Sequence, residues 1–181
     1  MNPVTTLLAL ALGGLTWLLA EYLIHRFLGH GRKARLDFGR EHTRHHSLGD
    51  YFAPTSKKVG AALQASALLS LITVPFVGLY GVVYTVGFVL VYGLYELVHR
   101  RAHTHPPTGP YGRWMRKNHF YHHFENPKAN HGVTTPLGDV IFRTGVRPQR
   151  IRVPRRLAMS WLVDPASGEI HDAYRDDYVL R

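Results

Sequence analysis

Polar and apolar positions divide this chain into long blocks. From Val4 to Ala20 no charged side chain interrupts the sequence, and after Glu21 the apolar run resumes through Tyr22, Leu23 and Ile24. Val59 to Tyr95 is also free of charge, with Pro75, Gly78 and Gly81 gathered near its middle, residues that favour a reversal of the chain. A hydrocarbon core of about 30 Å is crossed by roughly 20 apolar residues in a helix. The first run therefore predicts one span, from about Val4 to Phe27, and the second a hairpin of two. Between and after these blocks the pattern predicts shorter helices: one carrying His42 to His46, and one over Trp114–Phe124 that follows a loop at Thr104–Pro110. Gly31 to Gly39 reads as a polar connection, and Asp50 to Lys58, with Pro54, as the return to the apolar region. Thr134 or Thr135 is placed to cap a further helix with Pro136 in its first turn, whose buried face would be Leu137, Val140 and Ile141.

The expected fold is all-α: an integral membrane helical protein with about three spanning helices and a helical cap on one side. It reads as a single domain over residues 1–181, with a working region of about 21–142 and a basic C-terminal tail at 143–181. In that tail Leu157–Val163 is apolar and reads equally as a segment lying on headgroups or as part of an ordinary tail. Ala61, Ala62, Ala65 and Ser66 give the second span a small-residue face suited to close packing in lipid, with Gln64 expected to hydrogen-bond between helices. Tyr80, Tyr84, Phe88, Tyr92 and Tyr95 form a stripe on the third, read as helix packing in preference to an acyl-chain channel.

Charge gives the spans a direction. The formal net charge is +10, and every Lys and Arg lies between Arg26 and Lys58 or between Arg100 and Arg181. By the positive-inside rule both basic segments face the cytoplasm, which puts the amino terminus and the hairpin tip outside. A cell inner membrane, if the protein is bacterial, or the endoplasmic reticulum, if eukaryotic, is the expected location. A cleaved signal peptide is a poor reading of the first run, because Met1-Asn2-Pro3 supplies no basic segment ahead of it. No nucleic-acid module is visible, so anionic lipid headgroups are the expected partner of the basic residues.

Histidine supplies the candidate chemistry. Ten of the 13 histidines fall into two similar blocks, EYLIHRFLGH followed by HTRHH and YELVHRRAH followed by HFYHH, a weak internal duplication. Helical residues turn by about 100°, so neighbours three and four apart share a face. His42, His45 and His46 then lie together, as do His119, His122 and His123, while His99 and His103 sit one turn apart. His25 and His30, five apart with Gly29 between, suit a helix end turning into a loop. Neutral imidazole is the commonest metal ligand, and without cysteine in the chain thiolate sites and disulfides are excluded. Glu21 and Glu96 precede His25 and His99 by four and three residues; the expected role is to hydrogen-bond the distal imidazole nitrogen, with direct ligation the alternative. His105 reads as a loop residue outside the pattern.

At these motifs the sequence resembles the fatty acid hydroxylase superfamily, from about Glu21 to Phe142: EYxxHRxxxH, HxxHH, a Tyr-acidic-x-x-His-x-x-x-His segment, a second HxxHH, and NHGVTTPLGD after them. The resemblance implies a membrane-embedded hydroxylase with a cytosol-facing di-metal centre, iron in the active form and zinc as a substitute in purified material. Molecular oxygen would be the co-substrate. The ligands it implies are His25, His30, His42, His45, His46, His99, His103, His119, His122 and His123. His131 stands where the family often has an aromatic residue before Gly132, and an aromatic-like packing role is favoured over an extra ligand. Larger relatives show four spans, and acyl 2-hydroxylases of eukaryotes often carry a fused cytochrome b5 domain. Three spans and no such domain are read here, so electrons are expected from a separate donor such as ferredoxin or cytochrome b5 with a reductase.

The expected activity is hydroxylation of a lipid C–H bond, with an acyl chain favoured over a carotenoid or sterol, and with desaturation inseparable from it by sequence. A metal transporter or sensor with His-rich loops is the rival from another class, but the centres of the three spans lack the ionisable residues that a pathway needs. A closed structural zinc domain is a third reading. Because imidazole must be neutral to ligate, metal loss is expected as pH falls through about 6.

Overall fold

The computed structural model describes residues 1–31 and 35–181. In chain order the elements are α1 (Pro3–Leu23), a π-helical turn (Ile24–Gly29), α2 (Asp37–Leu48), α3 (Thr55–Val77), α4 (Leu79–Thr104), α5 (Gly109–Phe124), α6 (Leu137–Ile141), β1 (Ile151–Val153) and β2 (Tyr178–Leu180). Among the described residues, three stretches are long and apolar enough to cross a membrane: Pro3–Gly29, Thr55–Val77 and Leu79–Thr104. Of the connection expected at Gly31–Gly39, residues 32–34 lie outside the described residues, and α2 already begins at Asp37. The chain forms two compact units, one of Met1–Ala20 and Ala53–Leu97, the other of Glu21–Phe52 and Val98–Arg181.

The first unit is helical throughout. Asn2 starts α1 by accepting hydrogen bonds at Oδ1 from Val4 N (2.9 Å) and Thr5 N (3.3 Å), which satisfies two of the amides that a helix start leaves unpaired. At the reversal, α3 ends at Val77, Gly78 takes φ +57°, and α4 begins one residue later. The backbones of α1 and α4 approach so closely that a Cβ at Gly13 would lie 1.9 Å from Tyr84 O, and one at Gly87 2.1 Å from Leu10 O. The aromatic stripe on α4 packs on α1. Trp17 meets Phe88, Tyr92 and Tyr95 at ring-centroid distances of 5.3, 4.6 and 5.5 Å, and the Tyr84 hydroxyl donates to Thr16 Oγ1 (2.7 Å). Beside that contact runs an apolar groove of about 670 Å³ lined by Leu10, Gly14, Gly87 and Val91 among others. No residue of α3 is buried. Gln64 is exposed and, among the described residues, makes none of the interhelical hydrogen bonds expected of it.

The second unit holds all ten histidines of the two blocks. Its apolar core lies at the C-terminal end, where Phe120 and Phe124 of α5 pack against Ile151, Val153, Met159, Trp161, Leu162, Ile170 and Tyr178. β1 and β2 pair in parallel, Ile151 opposite Tyr178, and the Trp161 indole donates to Ala102 O (3.1 Å). The C-terminal stretch is thus folded onto α5, and the apolar Leu157–Val163 segment supplies core through Trp161 and Leu162. α5 starts at Gly109, earlier than the pattern indicates, directly after the extended Thr108 and with Pro110 in its first turn, where a missing amide costs nothing. The buried Arg116 of α5 donates from its guanidinium to the carbonyls of Arg101 and His105, so the end of α4 is capped by a side chain from the next helix.

Candidate metal centre

α1 does not end as an ordinary helix. From Ile24 to Gly29 its hydrogen bonding shifts to the π pattern, in which bonds close at i→i+5, and residues five apart come to one side. This turn brings the His25 and His30 rings to 5.3 Å, a pairing that the α spacing would not produce. Gly29 admits a third ring: a Cβ there would lie 2.9 Å from Cδ2 of His42.

The two HxxHH helices divide their histidines in the same way. On α2, His42 and His46 lie about 40° apart around the axis, while His45 falls about 60° to the other side of His42. The nitrogens of His25, His30, His42, His46 and His122 gather in one group and those of His45, His99, His103, His119 and His123 in another, each within 4.8 Å. Each group therefore takes four histidines from its own block and one from the other, exchanged between α2 and α5. The groups adjoin where His46 and His123 stack at 3.9 Å.

Within the groups Nε2 faces Nε2. The separations are 2.8 Å for His30–His42 and His30–His122, 3.0 Å for His42–His46 and His45–His99, and 2.9 Å for His103–His119. His25, His45 and His122 each donate Nδ1–H to a backbone carbonyl, of His131 (2.5 Å), Tyr51 (2.7 Å) and Ala129 (2.7 Å) respectively. A neutral imidazole holding its proton at Nδ1 presents a bare lone pair at Nε2. His30 Nε2 faces two neighbours and has one proton at most to offer them. Among the described residues, buried Nε2 of His25, Nδ1 of His119 and both ring nitrogens of His123 have no hydrogen-bond partner, which is costly unless something else meets them. A cation does so: nitrogens about 2.1 Å from a metal and at right angles stand about 3 Å apart. The donor set thus fits a metal in each group.

Electrostatics keeps these rings available. Burial first, then neighbouring imidazoles, pushes His42, His46, His119, His122 and His123 far below the ordinary imidazole value, and burial brings His30 down to about 4. All remain neutral at physiological pH, the form that ligates.

Several sequence expectations change. Among the described residues Glu21 hydrogen-bonds no imidazole: it accepts from Val133 N (2.6 Å), Thr134 N (3.1 Å) and Thr134 Oγ1 (2.5 Å). Glu96 pairs with Lys58. The orienting partners are main-chain carbonyls instead, which no residue pattern announces. His105 lies outside both groups, with its carbonyl on Arg116. His131 is also outside them, though buried, with its ring 5.2 Å from His122 and 5.6 Å from His25. Its carbonyl matters most, and Asp139 places it by accepting from His131 N (3.0 Å), Gly132 N (2.8 Å) and Thr144 Oγ1 (2.7 Å). In the sequence, only its place in NHGVTTPLGD marks Asp139. The helix expected to bury Leu137, Val140 and Ile141 is inverted. Gly138 and Asp139 are its buried residues, because a side chain at 138 would collide with the Tyr22 ring.

The fold and donor set define a helical protein with two adjoining all-histidine groups that could hold metal ions and with three apolar helices among the described residues. A family model for fatty acid hydroxylase matches residues 10–144, and the chain belongs to that family. It is 35% identical over 145 residues to a fatty acid 2-hydroxylase of Rattus norvegicus, covering 74% of this chain and 38% of the relative. To a dihydroceramide fatty acyl 2-hydroxylase of Arabidopsis thaliana it is 30% identical over 148 residues, 76% of this chain and 60% of that one. The visible hydroxylase domain of full-length scs7p has the same fold, with a TM-score of 0.65 at 24% identity over 83% of this chain and 60% of that one. The chain thus spans between about two fifths and three fifths of the length of these relatives.

Proposed function

We propose that this protein is a membrane-bound oxygenase that hydroxylates a C–H bond of a fatty acyl chain. The relatives are named as fatty acid and fatty acyl 2-hydroxylases, which supports position 2 as the carbon attacked. The observation that carries the reading is the pair of five-nitrogen groups whose Nε2 atoms face one another without protons enough to share. His25, His30, His42, His46 and His122 would hold one ion, and His45, His99, His103, His119 and His123 the other, with iron favoured. Held there, iron would supply, with molecular oxygen and electrons from a separate donor protein, the redox chemistry for a C–H bond that no acid or base among the side chains can break. The chain's own part is to keep ten imidazoles neutral by burial, to fix their tautomers through the carbonyls of Tyr51, Ala129 and His131, and to hold water away from the buried rings. The length and apolar character of the three helices support their insertion in a membrane, and the charge distribution supports an orientation with the basic segments and the histidines on the cytoplasmic side.

Lipid mass spectrometry of cells with and without the protein tests the reaction. An oxygen-dependent gain of one oxygen atom in an acyl chain is expected, and its absence from a well-expressed, metal-loaded protein rejects the reading. His45→Ala and His122→Ala should each abolish product and lower the metal-to-protein ratio while leaving the protein in the membrane fraction. Full activity in both would remove these residues from the centre.

A further inference from the structure

We propose that α6 and the turn after it form a seat on an anionic membrane surface, with Val140, Ile141, Phe142 and Val146 entering the boundary between headgroups and acyl chains and Arg143 and Arg147 meeting lipid phosphates. The proposal rests on the membrane reading above and assigns a lipid contact to a part of the chain outside the spans.

The first ground is the inversion of α6. Val140 is 69% exposed, Ile141 55%, Phe142 42% and Val146 38%. Single exposed aliphatics are common on protein surfaces, but four within seven residues make a patch that calls for a partner. Fraying does not account for it. Gly138 is pressed against the Tyr22 ring, where a Cβ would come to 2.3 Å, and both carboxylate oxygens of Asp139 are engaged with the loop behind. The helix cannot turn its apolar side inward without breaking these contacts.

The second ground is where the patch sits. Phe142 stacks on Tyr22 at 5.0 Å and 7°, and the Tyr22 hydroxyl bonds Thr144 Oγ1 (2.9 Å). The Arg26 guanidinium lies 5.8 Å from the Phe142 ring and 5.2 Å from that of Phe27. Tyr22 and Phe27 belong to the last turns of the first apolar stretch, where Leu23 and Phe27 are themselves exposed. The α6 surface therefore continues the surface by which that stretch would enter lipid.

Charge identifies the kind of surface. Arg143 and Arg147 are exposed, and neither forms an ion pair among the described residues. Arg143 holds φ +55°, at the helix end where glycine would sit at least cost, so the backbone there does not explain the arginine. Guanidinium forks match phosphate oxygens, and aliphatic side chains flanked by arginines suit a headgroup layer. An acidic protein would use the charges but leave the aliphatics wet.

Because the chain has no cysteine, single replacements in it can carry a nitroxide label. It is reconstituted in vesicles of phosphatidylcholine with one quarter phosphatidylserine, and collisions with oxygen and with a water-soluble nickel chelate report depth. Labels at Val140→Cys and Ile141→Cys should read as shallow in the bilayer, Leu68→Cys on α3 as deep, and Asp172→Cys as aqueous. Adding Arg143→Gly and Arg147→Gln should return the α6 labels toward the aqueous value, with Leu68→Cys unchanged. Aqueous α6 labels beside a deep Leu68 label overturn this proposal alone. An aqueous Leu68 label overturns the membrane reading and this proposal with it. Shallow α6 labels that ignore both arginine replacements and the removal of phosphatidylserine overturn the phosphate contact.

Discussion

At the scale of single residues, the candidate centre is controlled by groups that are not themselves imidazole nitrogens. The carbonyl of His131 fixes His25 through Nδ1 (2.5 Å), whereas its own ring lies outside both groups of donors. His131→Phe keeps that carbonyl and fills a similar volume, so elemental analysis should find the same metal content as in the parent protein. Loss of one metal equivalent would show that the ring itself ligates. Gly29→Ala is expected to act in the opposite sense: its Cβ would press on the His42 ring at 2.9 Å, and metal content should fall although no donor has been removed. Gly138→Ala drives a methyl into the fully buried Tyr22. Overpacking of this kind costs about 1–3 kcal/mol, readable as a lowered midpoint in thermal unfolding. None of these three effects can be read from the identity of the neighbouring residues alone.

At the scale of elements, the same helical rotation that defines one face also divides it. Adjacent histidines at 45 and 46, or 122 and 123, point about 100° apart, and so one helix serves both groups. The HxxHH spacing made the shared face legible in the sequence, but not the exchange of His45 and His122 between the groups. That exchange needs α2 and α5 to face each other, which periodicity within either helix does not encode. The His25–His30 spacing fits a helix end on the α pattern and is explained only by the π turn. α5 is held from behind by the C-terminal core, and Phe120 is fully buried there, one residue from His119. Phe120→Ala should cost about 3–5 kcal/mol and loosen the face that carries His119, His122 and His123. Lower thermal stability accompanied by weaker metal retention is the expected pair of results; lost stability with unchanged retention would show that α5 does not depend on that core for its aim.

For the whole molecule, the collection of buried neutral imidazoles sets the response to pH. Imidazoles of the unfolded chain take up protons below about pH 6.5, while in the metal-free folded protein burial holds His30 neutral down to about 4 and several others further still. The unfolded state then binds more protons, so stability is fully present above pH 6.5 and falls as pH drops through and below that value. Denaturant unfolding of detergent-solubilised, metal-free protein at pH 7.5 and 5.5 should show the lower midpoint at 5.5. For the same reason the folded ligands resist protonation, and metal release should come below the pH of about 6 that free imidazole would suggest. The sequence by itself determined which segments are apolar enough to span, where the hairpin reverses, and that ten histidines occur in two matched sets, because these properties are local: hydropathy, turn chemistry and rotation along one helix. Only the tertiary structure decided which histidines share a group, which main-chain carbonyls aim them, and that α6 turns its aliphatic residues outward. Those outcomes depend on which backbone atoms and side chains meet across distant parts of the chain, and a carbonyl oxygen is the same in every residue.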